Sequence, residues 1–251
     1  MRTVFPAHAE DRLKAEFFRA TRNGFFVEVG ANDPQRGSQS WQFEQTGWAG
    51  VLVEPQPELA VRLTETRRAR VFAAVCSSPG SAGGTARLYL RGPHSSLKRE
   101  LAVTGVIAEG AIDVPARTLD DILEEAEAPA PIDFVSIDVE GHEVEVLKGF
   151  DLARWQPQLV LIEDHVSNLA THRFLSGAGY RLIRRTGLNG WYVPQAGAAR
   201  CGLSLFGRWQ IVRKYYLALP IRVMRDRKRR LRDRIRARLR DTKMHGVART
   251  P

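Results

Sequence analysis

The stretch FFVEVGAND, residues 25–33, decides how the rest of the chain is read. Phe25 to Val29 is a short run of aromatic and β-branched residues, the composition of a buried strand. Gly30-Ala31-Asn32-Asp33 then turns, and glycine, proline and serine carry the loop on to Ser38. Gly30 lets the backbone turn tightly and come close to a ligand. Glu28, inside the apolar run, offers a carboxylate to a cationic ligand group. The dinucleotide fingerprint G-x-G-x-x-G is missing, because Asn32 and Gln35 stand where its later glycines belong. That pattern argues against a nicotinamide cofactor.

Working outward, strands and helices alternate. Ahead of the stretch, about His8 to Thr21 reads as a helix, with Leu13, Phe17 and Ala20 at helical spacing and Asn23-Gly24 as its stop. Behind it come a helix from Ser40 to Gln45, a strand Gly50–Val53 ended by Glu54-Pro55, a helix Pro57–Arg67 and a strand Arg70–Cys76. A glycine- and serine-rich turn (77–84) leads to a short strand Arg87–Arg91 and an irregular polar segment to Glu109. Thr118, with Asp121 three residues on, opens a helix to Glu127 in the manner of a capping box. Ile132–Val139 is a strand, Glu143–Gly149 a helix, Gln158–Glu163 a strand and Val166–Ala178 a helix. Tyr180–Arg184 and Gly190–Val193 close the series as an antiparallel pair. Alternation of this kind, with strands apolar on both faces, predicts an α/β fold with a mostly parallel sheet covered by helices.

In such a sheet, ligands bind beyond the carboxyl ends of the strands, near the point where strand order reverses. The residues that follow each strand are therefore the candidates. They are Gly30 and Asn32, then Glu54, then Cys76 and Ser77, then Asp138 to His142, then Glu163, Asp164 and His165. Glu54 follows Gly30 by 24 positions, near the spacing at which an acid accepts hydrogen bonds from ribose hydroxyls. Carboxylates and histidines thus collect at one rim.

The 251 residues suit one α/β domain with appendages, and 43% hydrophobic residues suffice for a core. Cys76 and Cys201 match neither a metal spacing nor a disulfide framework. The first residues carry acids early and no apolar run, so they do not read as a secretory leader. The expected location is the cytoplasm. The net charge of +10 is not spread evenly. Residues 207–240 hold 14 Lys+Arg against 2 Asp+Glu, a local +12, while residues 1–206 sum to −3. In this tail Trp209, Tyr215, Tyr216 and Leu217 precede Pro220, and Met224, Leu231, Ile235 and Leu239 form a narrow apolar stripe among arginines. A basic amphipathic helix of this kind suits an anionic membrane surface, which places the chain at the inner face of a membrane. Nucleic acid is the rival partner, since arginine clusters bind phosphates. The organisation read from these signals is an N-terminal helix (1–22), an α/β domain (23–196) and a basic amphipathic extension (197–251).

Six segments add up to a resemblance: FFVEVGAND, GWAGVLVEP (47–55), FAAVCS (72–77), PARTLDDIL (115–123), IDFVSIDVEGHEVEVLKGF (132–150) and LVLIEDH (159–165). In that order and spacing, over about Asn23 to Pro194, the chain resembles the FkbM-type methyltransferases, with SIDVEGHEVEVLKG the most specific part. The resemblance implies a Rossmann-like class I methyltransferase with a seven-stranded sheet. It implies S-adenosylmethionine as methyl donor and O-methylation of a hydroxyl on a sugar, glycan or related metabolite. Carried over by position, Glu28, Gly30 and Asn32 face the methionine part of the donor. Glu54 holds the ribose hydroxyls, Cys76 and Ser77 lie near the adenine, and Asp138 sits beside the reacting methyl group. A serine-rich segment at His94-Ser95-Ser96-Leu97 falls near the pocket. Pro34 departs from the family, which has glycine at that place.

Methyl transfer from a sulfonium to an alcohol must position the nucleophile and remove its proton. His142 and His165 are the candidate bases, and Asp138 orients the base or the substrate. Asp138 with Glu163 or Asp164 also offers hard oxygen ligands for Mg²⁺. The reading from a different class is a non-catalytic ligand-binding or scaffold protein that uses its basic tail on membranes or nucleic acid.

Overall fold

The computed structural model describes residues 7–90, 95–97, 110–164 and 169–197, and in the C-terminal stretch 209, 212–221, 223–225, 228 and 232. The described residues form two compact units. One holds residues 7–164 and 170–197, and the other holds 169 and the described residues from 209 onward.

The first unit opens with helix α1 (Ala7–Phe17) and strand β1 (Phe25–Val29), followed by α2 (Trp41–Gln45), β2 (Ala49–Val53), α3 (Pro57–Thr66) and β3 (Arg70–Phe72). Then come β4 (Val75–Cys76), β5 (Thr85–Leu90), β6 (Gly110–Arg117), α4 (Leu119–Glu125) and β7 (Phe134–Ile137). The unit ends with α5 (Glu143–Lys148), α6 (Leu152–Trp155), β8 (Leu159–Glu163), α7 (Ala170–Gly177), β9 (Tyr180–Thr186) and β10 (Asn189–Pro194).

Seven strands form one sheet in the order β3-β2-β1-β7-β8-β10-β9. The first five run parallel, and β10 and β9 close the edge antiparallel. This is the Rossmann-like class I arrangement that the resemblance implies. The strand order reverses between β1 and β7, so a crevice opens beyond their carboxyl ends. The four central parallel strands are buried almost throughout because they lie between helices, which is why each reads as an unbroken apolar run. Part of the core is aromatic: Phe43 stacks on Trp48 at 4.4 Å, and Phe18 meets Phe43, Trp48 and Phe134 edge-on. The capping box of α4 forms as read, Thr118 accepting from the Asp121 N–H and Asp121 from the Thr118 N–H.

Three elements differ from the sequence reading. The run Arg70–Cys76 is two strands: β3 pairs with β2, and two residues on β4 pairs with β6 in a second, three-stranded sheet. Strand β6 and the one-turn helix α6, whose Asp151 cap accepts from the Ala153 and Arg154 N–H groups, both lie where no element was expected. Strand β6 escapes because only Val114 and Ala116 of its eight residues are buried, giving it little apolar run to recognise.

Helix α1 is tied to the sheet's loops by charge. Lys14 is fully buried, with Nζ donating to the Gln39 carbonyl at 2.6 Å and to Gln39 Oε1 at 2.9 Å. Glu10 accepts from Thr186 and from Asn189 Nδ2.

Candidate active site

The backbone shapes the crevice. Gly30 has φ +85°, and a Cβ there would stand 1.9 Å from the Asp138 carbonyl oxygen. Its glycine is thus required twice, by the left-handed turn and by the approach of the β7 end. The N–H groups of Gly30 and Ala31 donate to Val53, and that of Asp138 donates to Val29, which locks the ends of β1, β2 and β7 together. Asn32 and Glu140 also take positive φ, so two tight turns face each other across the strand switch.

Between these turns lies a cavity of about 290 Å³, the size of a small-cofactor site. Its walls fall into three groups. On the β1 side stand Glu28, Gly30, Asn32 and Gln39, with Arg36 at the loop. Beyond β2 stand Glu54 and Gln56, and next to them an apolar slot of Ala74, Val75, Cys76 and Leu88. At the ends of β7 and β8 stand Asp138, Glu140, His142 and Glu163, with Ser95, Ser96 and Leu97 lining the cavity as well.

Glu54 is buried, and both of its oxygens are held: Oε2 accepts from the Asn32 N–H and Oε1 from the Gln56 N–H, each at 2.8 Å. Burial raises its pKa and the two N–H groups pull it back. Each carboxylate oxygen keeps a second lone pair for a ligand hydroxyl. Glu28 lines the cavity while its carboxylate gathers the loop, accepting from Ser38 Oγ, the Gln39 N–H, the Ser40 N–H and Ser40 Oγ at 2.5–3.2 Å. Arg67, also buried, anchors the same loop. It pairs with Glu44 at 2.6 Å and donates to Ser40 Oγ, Ser38 Oγ and the Pro34 carbonyl. Nothing in the structure explains the proline in place of the family's glycine, since Arg67 contacts only its backbone carbonyl. Asp33 closes the loop by accepting from the Gln35 and Arg36 N–H groups, which hold its pKa below the usual range.

Asp138, Glu140 and Glu163 each place a carboxylate oxygen within 4.8 Å of the others. Burial, and then the nearby Asp138, push Glu163 up to about 9. Carboxylates this close raise one another's proton affinity. His142 caps α5 and its Nε2 lies 3.1 Å from Ser77 Oγ. The Ser96 hydroxyl donates to the Glu140 carbonyl, fixing the serine segment to the turn after β7.

Of the residues singled out in the sequence, Glu28, Gly30, Asn32, Glu54, Cys76, Asp138, His142 and Glu163 line this one cavity. Cys76 is wholly buried, and burial pushes its thiol up to about 12, so it presents an inert apolar wall. Ser77 stands behind the wall, bonded to His142. Asp164 does not join the acids: it lies beside Arg185 of β9, whose guanidinium also donates to its carbonyl. Glu140 takes its place in the cluster. His94 and His165 fall outside the described residues. Sequence reasoning missed Gln39 and Gln56, and it placed Glu140 on the rim without giving it a role.

Residues 28–182 match the profile of the Methyltransferase FkbM domain, more than half of the chain. The chain belongs to the FkbM methyltransferase family. Among characterised relatives, it is 31% identical over 115 residues to the hexuronic acid methyltransferase AglP of Haloferax volcanii. That match spans 45% of this chain and 45% of the relative, less than half the length of each. Among solved structures, it is similar to a SAM-dependent methyltransferase from Aquifex aeolicus, at 13% identity and a TM-score of 0.34, over 75% of this chain and 92% of that one.

Proposed function

We propose that this methyltransferase uses S-adenosylmethionine to methylate a hydroxyl of a sugar, glycan or related metabolite. One observation carries the reading. A single cavity at the strand switch joins a buried, backbone-held carboxylate and an apolar slot to a cluster of proton-accepting groups.

The chemistry of the walls fits the donor. Glu54 suits the ribose diol, because its oxygens are already oriented by two N–H groups. The slot of Ala74, Val75, Cys76 and Leu88 suits the flat adenine. Glu28 and Asn32 border the end that takes the methionine part. When bound, the cofactor supplies an electrophilic methyl on a sulfonium. The Asp138 carboxylate would take the proton of the acceptor hydroxyl as its oxygen accepted that methyl and the donor left as a neutral thioether. His142, held through Ser77, orients the acceptor. A relative named for methylating a hexuronic acid supports a sugar acceptor. The three carboxylates are also hard oxygen donors of the kind Mg²⁺ takes, and we include the ion as a cofactor that would orient the hydroxyl.

Titration calorimetry with S-adenosylmethionine tests the donor, and mass spectrometry of methyl products from a panel of sugars and uronic acids tests the acceptor. Binding with transfer to a hydroxyl is expected. A chain that binds no donor is not this enzyme, and transfer to nitrogen or carbon in place of oxygen would overturn the acceptor class. Loss of turnover in EDTA with recovery in Mg²⁺ is expected, and full turnover in EDTA removes the ion.

A further inference from the structure

The second unit, taken by itself, carries a feature that methyl transfer does not use. Arg213–Leu217 is a π-helical turn, its ring closed by the Ala218 N–H donating to the Arg213 carbonyl. Residues 209 and 212 before it and 219–221, 223–225, 228 and 232 after it are helical. Six large apolar or aromatic side chains are 46–64% exposed: Trp209, Val212, Tyr216, Leu217, Ile221 and Met224.

Their spacing is not that of an uninterrupted α-helix. Trp209 and Val212 are three apart, and Leu217, Ile221 and Met224 follow at four and three. The step of five from Val212 to Leu217 would rotate an α-helical stripe far off its line, since each residue turns the helix by about 100°. A π turn, closed from i to i+5, absorbs one extra residue. By spacing alone, that one extra residue restores the register of Leu217 and Ile221 with Trp209 and Val212. In the sequence Leu231, Ile235 and Leu239 follow, each four apart. Arg213, Arg225, Lys228 and Arg232 are exposed, and the Arg213 guanidinium lies 5.0 Å from the Trp209 ring centre.

We propose that this face docks on an anionic lipid surface, with the apolar stripe at headgroup depth and the arginines on the phosphates. The charge supports an anionic partner, since residues 207–240 carry +12 while the first 206 residues sum to −3. The stripe selects lipid over nucleic acid. Cations alone bind a phosphate backbone, whereas exposed Leu, Ile and Met beside Trp and Tyr are what an interfacial helix inserts.

The test is flotation of the full chain with vesicles of phosphatidylglycerol and phosphatidylcholine in equal parts, and with phosphatidylcholine alone. The chain floats with the anionic vesicles only. The double variant Leu217→Asp/Ile221→Asp loses more than about tenfold of the bound fraction, in keeping with the loss of two buried apolar anchors. Both positions are exposed, so its melting temperature stays that of the parent, which separates lost docking from lost folding. Three results would overturn the proposal: no flotation of the parent chain, equal flotation of the double variant, or single-stranded RNA competing the parent off the vesicles while the double variant binds that RNA as tightly.

Discussion

Two sets of carboxylates, one in the loop beside the cavity and one in its wall, are treated in opposite ways. Glu28 and Glu44 belong to a closed network: Arg67 pairs with Glu44, bridges to Ser38 and Ser40, and those serines donate to Glu28. Each negative charge meets a cation or several donors, and most of the network is sealed from solvent. Across the cavity, Asp138, Glu140 and Glu163 converge on one another. Proton affinity is suppressed where donors surround an acid and raised where acids crowd. The first set holds a shape. The second set stores a demand for a proton or a cation, which is the property a proton-transfer site needs.

The largest effect expected comes from opening the closed network. Arg67→Met leaves Glu44 as a buried carboxylate without its cation, a change that costs about 3–5 kcal/mol. At about 2–4 °C per kcal/mol in a chain of this size, the melting temperature should drop by roughly 10 °C in thermal unfolding. Adding Glu44→Leu should recover much of the loss, because the stranded charge goes with it. A single variant that melts with the parent would mean that the loop does not depend on this pair.

At the crowded acids the same kind of edit should spare the fold and remove the chemistry. Asp138→Asn keeps the shape, relieves repulsion and takes away the proposed proton acceptor. Its kcat should fall by about 10²–10⁴-fold, the range of general-base contributions, with a melting temperature at or above the parent's. Retained turnover would shift the base to His142, and Asp138→Asn/His142→Gln kinetics would show it.

This division also explains what could be read from the sequence. Strands β1, β2, β7 and β8 were legible because they are buried on both faces, and the residues after them were legible because the sheet dictates where ligands bind. The acids of the two sets look alike in a sequence. Glu44 and Arg67 lie 23 positions apart, in elements whose contact depends on the folded sheet, so neither shows any sign of being buried. Asp164 and Glu140 exchanged roles for a similar reason. Arg185 of β9 claims Asp164, and the positive φ of Glu140 turns it toward Glu163.

Glu54 sits between the two sets, held by donors and yet facing the cavity. Glu54→Ala removes the proposed ribose contacts and takes the acceptor from the Asn32 and Gln56 N–H groups. Donor affinity should weaken by about 1.5–3 kcal/mol, the value of hydrogen bonds to a charged group, or roughly 10–100-fold in Kd by calorimetry. Glu54→Gln, which keeps one acceptor oxygen, should fall between the two. Equal Kd values for all three chains would remove Glu54 from the donor site.

The pH dependence of stability tests the crowding itself. Glu163 titrates near 4.5 as an ordinary side chain and near 9 in the fold, where burial and then Asp138 oppose its charge. Between those values the folded chain keeps a proton that the unfolded chain has released. Its contribution to stability is therefore complete below about 4.5 and is lost as pH rises through about 9. In EDTA, the parent's melting temperature should fall further from pH 5 to pH 9 than that of Glu163→Gln, which has no proton to lose. Magnesium should then raise the parent's melting temperature more at pH 9 than at pH 5, because a cation can bind where the proton has left. Parallel pH curves for the two chains would show that the three acids do not share a proton. The contrast between a neutralised wall and a charged one would then have to rest on Asp138 alone.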